Sequence, residues 1–200
     1  MLARVSNLEA YRYWRGSEDA ELEPLLASIR EESLPSPAMA AGTALHAALE
    51  TAQEGECDIL YAEGYKFIIR ADVTLALPRV REIRGYKDYG PLRVTGKVDC
   101  IEGRRVDDHK TTARFDPERY IEGYQWRFYL DLFEADRFRW NVFEMSPIDD
   151  AEHDGPVYEV FAFHTLEQFR YPGLHRDCAA LAADFYDFAR AHDLTPRAAA

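Results

Sequence analysis

The stretch GKVDCIEGRRVDDHKTT, residues 96–112, decides how this chain reads. Two strand-like runs, RVTGKVDCI (93–101) and RRVDDHKT (104–111), meet at Glu102-Gly103, which has the composition of a hairpin turn. Side chains alternate along a strand, so Val106, Asp108 and Lys110 share one face, while Asp107, His109 and Thr111 share the other. On that alternation Asp107 is a solvated neighbour, although a one-residue slip in register would exchange it with Asp108. The hairpin can fold Asp99 back level with Asp108 and Lys110. Carboxylates gathered in this way repel one another unless a cation lies among them. The residues alone leave two readings of D-x-K open. One is a plain salt bridge. The other is a site for Mg²⁺ or Mn²⁺, hard ions that take oxygen ligands, with Lys110 neutralising surplus charge or acting on a bound water.

Outward from this stretch the chain alternates helical and strand patterns. Ser6 followed by Glu9 predicts a capped helix through LEAYRYWR. Ser17 to Glu23 and LPSPAMAAG (34–42) have the look of connections. From Gly42, TALHAALETAQ repeats apolar residues at three and four, which predicts a second helix carrying His46. KFIIRADVTLALPRVREIRGY (66–86) predicts strands. Pro117 to Leu132 predicts one helix with Gln125 and Tyr129 a turn apart, and with Tyr124, Trp126 and Phe128 as core rather than base-stacking platforms. FRWNVFEMS (138–146) and VYEVFAFHT (157–165) predict two more strands, and LAADFYDFARAH (181–192) an amphipathic closing helix. Helices and strands in this order fit an α/β chain with a central mixed sheet flanked by helices.

Composition limits the function classes. At 200 residues, 47% of them hydrophobic, the chain is expected to form a single domain, 1–200, with a real core. Residues 1–41 would be an N-terminal helical segment, about 42–132 the motif core, and 133–200 closing strands and helix. No apolar run reaches the roughly 18 residues of a membrane span. The opening MLARVSNLEAYRYW lacks a signal-peptide pattern, so a cytoplasmic location is the default expectation. Three scattered cysteines, Cys57, Cys100 and Cys178, suit neither a disulfide framework nor a CxxC metal site and read as buried thiols. The formal charge of −12 repels nucleic acid. Nucleic-acid binding would therefore need a local basic groove, metal ions or an oligomeric channel. Arg104, Arg105, Arg114, Arg119 and Arg127 are the candidates for a basic rim.

In order, the chain holds G-x-x-x-H (Gly42 to His46), G-x-x-D (Gly96 to Asp99), D-x-K (Asp108 to Lys110) and Q-x-x-x-Y (Gln125 to Tyr129). This series resembles the RecB-type, phage exonuclease-like branch of the PD-(D/E)XK nuclease superfamily, over about half the chain. The resemblance implies a restriction-endonuclease-like core and Mg²⁺- or Mn²⁺-dependent DNA cleavage, chiefly exonucleolytic, in recombination, repair or phage end processing. It implies His46, Asp99, Asp108 and the main-chain carbonyl of His109 as metal ligands. Glu82, or failing that Glu63, would be a further carboxylate. Lys110 would act on the attacking water, and Gln125 and Tyr129 would position the DNA end or the lysine. Relatives with an iron–sulfur cluster use four cysteines, which this chain does not have, so no cluster is expected. No GxxxxGK[ST] loop is present, so unwinding would fall to a helicase or recombination partner. Some relatives form rings, which makes a homo-oligomer an expectation as well. The rival reading is a catalytically silent module of the same fold that binds DNA ends or a recombination partner.

Overall fold

The computed structural model describes residues 1–53, 58–72 and 77–194. The quoted stretch falls where expected: β4 (Val80–Tyr89), β5 (Leu92–Glu102) and β6 (Arg105–Thr112) are successive antiparallel strands. Gly90 and Gly103 turn between them at φ 61° and 59°, a left-handed conformation without penalty when there is no Cβ. β7 (Arg137–Ile148) runs parallel to β6 and turns back into β8 (Val157–Phe169). β3 (Tyr65–Ile69) lies parallel to β8, and β2 (Ile59–Ala62) pairs with β3. β1 (Leu2–Arg4) runs parallel to β5. Among the described residues these eight strands make one mixed sheet, ordered β1-β5-β6-β7-β8-β3-β2, with β4 also paired to β5.

One consequence of this order positions everything else. β4 follows β5 from Leu92 to Ile101, so β1 and β6 must share the opposite edge of β5. β1 takes Arg93–Thr95 and β6 takes Cys100–Glu102. Between them Gly96–Asp99 has no strand on that edge among the described residues. The sheet forks there.

Helices cover both faces. α1 (Val5–Gly16), α2 (Leu22–Ile29), α5 (Gln125–Leu132) and α6 (Leu174–Ala191) lie on one, over a core that includes Leu8, Val94, Val98, Phe128, Phe138, Trp140 and Phe185. α3 (Pro37–Thr51) lies on the other, over Leu45, Leu49, Phe67, Phe143 and Val160. Strand alternation on β7 sends Phe138, Trp140 and Val142 to the first core and Phe143 to the second. Each such fully buried side chain contributes about 2 kcal/mol of transfer free energy.

Several boundaries differ from the sequence expectation. α1 starts at Val5, and Ser6 is not its cap; Asn7 Oδ1, not Glu9, accepts from the Arg4 N–H at 2.9 Å. Glu9 is used elsewhere, as described below. α3 starts at Pro37, with the Ser36 side chain accepting from Met39 N at 3.2 Å, so PAMAAG is helical rather than connecting. α2 takes up the end of the acidic stretch at Leu22. The single helix expected over Pro117–Leu132 is two, α4 (Pro117–Ile121) and α5, broken around Gly123. Glycine tolerates such a break well, and a carboxylate from another helix occupies it. Cys100 and Cys178 are buried thiols, each pushed up to about 12 by burial; Cys57 and residues 73–76 lie outside the described residues. No described helix is long and apolar enough to cross a membrane.

Candidate active site

The four sequence motifs converge on the fork, and both motif glycines are there for close approach. A Cβ on Gly42 would stand 2.8 Å from Thr111 Oγ1, so its absence lets α3 lie against β6. One turn later His46 Nδ1 reaches Asp99 Oδ1 at 3.1 Å. A Cβ on Gly96 would stand 2.4 Å from Tyr129 Cε1, so its absence lets the tyrosine ring lie on β5. The Tyr129 hydroxyl then donates to Lys97 O at 3.0 Å, and the His109 N–H donates to Asp99 Oδ2 at 2.5 Å. Where the ladder lapses, two motif side chains supply its hydrogen bonds.

Alternation places Asp108 and Lys110 together as expected, with Lys110 Nζ 2.5 Å from Asp108 Oδ2. Gln125 Nε2 donates to Asp108 Oδ1 at 3.1 Å and lies 3.5 Å from the Tyr129 hydroxyl. Asp99 is not on this face. Val98 packs in the α5-side core and Ile101 packs against it, so the alternation of β5 breaks between them. Asp99 is therefore met by His46 from the α3 side. The site is assembled across the fork, from both layers of helices.

Burial raises the pKa of the Asp108 carboxyl, opposed by the Lys110 ammonium and helped by Asp99. Desolvation works against the Lys110 ammonium, yet Asp108 beside it holds its pKa above the ordinary lysine value. Burial would raise Asp99 too, but His46 and the His109 N–H hold it well below the usual carboxylate range. In return Asp99 overcomes desolvation and lifts His46. Burial, with Asp108 nearby, raises the Tyr129 phenol.

The remaining expected residues divide. The His109 ring is buried between Cys100 and Asn141, with its nitrogens 3.7 Å from Cys100 Sγ and 3.3 Å from Asn141 Nδ2; burial pushes it down to about 4. Asp107 is not solvated: it is 1% exposed, bound by Arg105 Nε at 2.8 Å and Arg139 Nη2 at 2.6 Å. A carboxylate buried on the sheet face requires such partners. Glu82 stands across from Asp99 in the β4–β5 register, at a left-handed φ of 57°, and its side chain pairs with Lys97. Glu63 sits in the β2–β3 turn, away from the fork. Of the five candidate rim arginines, three have partners within the chain. Arg104 binds Asp136, Arg105 binds Asp107 and Glu102, and Arg127 binds carbonyls at Glu122 and Gly123 while stacking on Trp126. Arg114 and Arg119 are exposed on the segment after β6. Trp126 and Phe128 are buried core, as expected.

Two supports of the site have no sequence signal. Glu9 Oε2 on α1 accepts from the N–H groups of Tyr124 and Gln125, at 2.5 and 2.8 Å. Asp131, buried at the far end of α5, accepts from Tyr89 and His175 at 2.8 Å each and lies 3.1 Å from the Lys87 ammonium.

By donor chemistry, one imidazole, two carboxylates and a carbonyl suit a hard divalent cation, and Asp108 Oδ2 is buried without a directed hydrogen bond. The spacing is another matter. Both Asp99 oxygens are taken, and no three His, Cys, Asp or Glu groups among the described residues stand as a metal site. A cation would displace His46 from Asp99 and Lys110 from Asp108.

No family model and no curated protein matches the sequence. Similar solved structures include SSO0001, at 15% identity and a TM-score of 0.56, covering 94% of this chain and 76% of that one. A phage-related exonuclease from Haemophilus somnus 129PT matches at 13% identity and a TM-score of 0.52, over 96% of both chains. LHK-Exo in complex with dAMP matches at 14% identity and a TM-score of 0.48, over 96% of this chain and 94% of that one. At such identities the likeness is one of fold alone.

Proposed function

We propose that this chain is a divalent-metal-dependent deoxyribonuclease of the RecB type that degrades DNA from its ends in recombination, repair or phage end processing. The observation that carries the reading is the meeting of Lys110, Asp108 and Gln125 at the fork beside the Asp99–His46 pair. A cation there would be held by Asp99, Asp108, His46 and the His109 carbonyl, and would supply a water of lowered pKa together with positive charge at the scissile phosphate. Lys110 stands beside Asp108, where its side chain can reach a water or a phosphoryl oxygen held there. Its contribution is to orient the attacking water and to stabilise charge developing on the phosphoryl oxygens. Gln125 fixes Asp108, and Tyr129 holds the open edge of β5. A helicase or recombination partner, or further copies of the chain, would supply unwinding and grip on the strand.

The internal pairing of both aspartates favours one second reading, a silent module that binds DNA ends. End-labelled single- and double-stranded DNA and circular DNA, incubated with the protein and Mg²⁺ or Mn²⁺, separate the two. The nuclease reading expects metal-dependent shortening of linear DNA, lost in Lys110→Ala and Asp99→Ala. Binding without cleavage under every condition leaves the silent module.

A further inference from the structure

α5 starts in an unusual way. A helix leaves its first N–H groups without intrahelical acceptors, and the residue at its start normally caps them with a side chain. Tyr124, the residue before α5, makes no such cap. The acceptor comes instead from α1: Glu9 Oε2 takes the N–H of Tyr124 and of Gln125, 115 and 116 residues away in sequence. Arg12 Nε holds the other oxygen, Oε1, at 3.1 Å. The fit leaves little room, since a Cβ on Gly123 would stand 3.2 and 3.4 Å from the two Glu9 oxygens and 3.3 Å from Tyr120 O. A negative charge at this end also matches the helix dipole.

Gln125, the first residue of the helix so held, has its side chain on Asp108, and Asp108 faces Lys110. From Glu9 to Lys110 there is an unbroken series of contacts. We infer that Glu9 is a positioning residue of the site, fixing the start of α5 so that the Gln125 amide meets Asp108 and keeps Lys110 in place; this rests on the nuclease reading above. Arg12 sets the Glu9 rotamer.

The test uses Glu9→Ala and Glu9→Gln in the full chain, alone and with Gln125→Ala, with DNA cleavage and nuclear magnetic resonance of the Gln125 amides as readouts. Glu9→Ala is expected to lower kcat about tenfold, equivalent to about 1.4 kcal/mol, with KM little changed. Glu9→Gln, which keeps an acceptor oxygen, is expected to restore most of that loss. In the Gln125→Ala background Glu9→Ala should have no further effect. Independently of cleavage, Glu9→Ala should speed hydrogen exchange at the Gln125 backbone amide about tenfold or more and shift its side-chain amide resonances. If wild type cuts nothing, the nuclease reading falls, and the exchange and resonance changes still decide whether Glu9 holds Gln125. Unchanged Gln125 resonances in Glu9→Ala overturn the inference, and so does an equal loss of kcat with and without Gln125.

Discussion

Replacing Gly96 by alanine sets one methyl group where the Tyr129 ring lies. The added carbon would stand 2.4 Å from Cε1 and 3.1 Å from Cδ1 of the ring, and 3.0 Å from Val5 Cγ2. Carbon atoms in contact prefer about 3.5–4.0 Å, so the ring must retreat by about 1 Å. It has nowhere easy to go, because Phe138 and Phe133 lie 5.9 and 6.4 Å away between centroids and the hydroxyl is tied to Lys97 O. Overpacking of a close-packed core costs about 1–3 kcal/mol, and two rigid neighbours point to the upper half of that range. Relief of the glycine entropy term in a strand returns about 0.5–1 kcal/mol. The net expectation is a loss of about 2 kcal/mol, or a fall in Tm of about 4–8 °C for a chain of this length. Urea and thermal melts followed by circular dichroism measure it. The sharper assay is a double-mutant cycle: with Tyr129→Ala the ring is gone, and Gly96→Ala should become neutral or slightly stabilising, a coupling of about 2 kcal/mol. Equal losses in both backgrounds would refute the steric account.

Asp107 and Asp108 should separate by phenotype. Asp107→Ala strands Arg139 and leaves Arg105 with Glu102 alone, and is expected to destabilise by about 3–5 kcal/mol in urea melts. Asp108→Ala frees Lys110 and the Gln125 amide, both partly exposed, so it should abolish cleavage at a smaller loss of stability; the reverse ranking would sink the assignment. Acid sensitivity should pass through His109. Its imidazole is held down to about 4, so between pH 6.5 and 4 the unfolded chain takes a proton that the folded one refuses, and stability falls with acidification by up to about 3 kcal/mol. His109→Gln should flatten that slope, and an unchanged slope would contradict the assignment. His46 acts in the opposite sense: raised by Asp99, it adds stability at low pH that is lost as pH climbs through its folded value.

The sheet class, the hairpin and the Asp108–Lys110 face were legible because alternation and turn chemistry are local properties. His46 and Gln125 could be tied to the aspartates only through the family resemblance, since neither helix face reveals what it will meet. Three features lay beyond any local pattern. The break at Asp99 depends on two strands sharing one edge of β5, and pairing partners are not written in strand periodicity. The burial of Asp107 depends on Arg139, 32 residues away on a parallel neighbour. The divided Pro117–Leu132 helix is capped at its break by Glu9, which reads in sequence as part of a capping box for its own helix and serves another helix instead.

The fork gives Asp99 and Tyr129 a structural occupation that does not depend on the proposed activity. Each completes a hydrogen bond that a missing strand would otherwise have made. If the proposed nuclease activity were lost from a lineage, both would still be kept for the fold, because a backbone group orphaned away from water costs about 1–3 kcal/mol. Lys110 and Asp108 mainly satisfy each other, and such a pair can be exchanged for apolar residues with little loss. Along a lineage drifting toward silence, the lysine and its aspartate would be the first to go, while Asp99 and Tyr129 would persist as remnants of the trade.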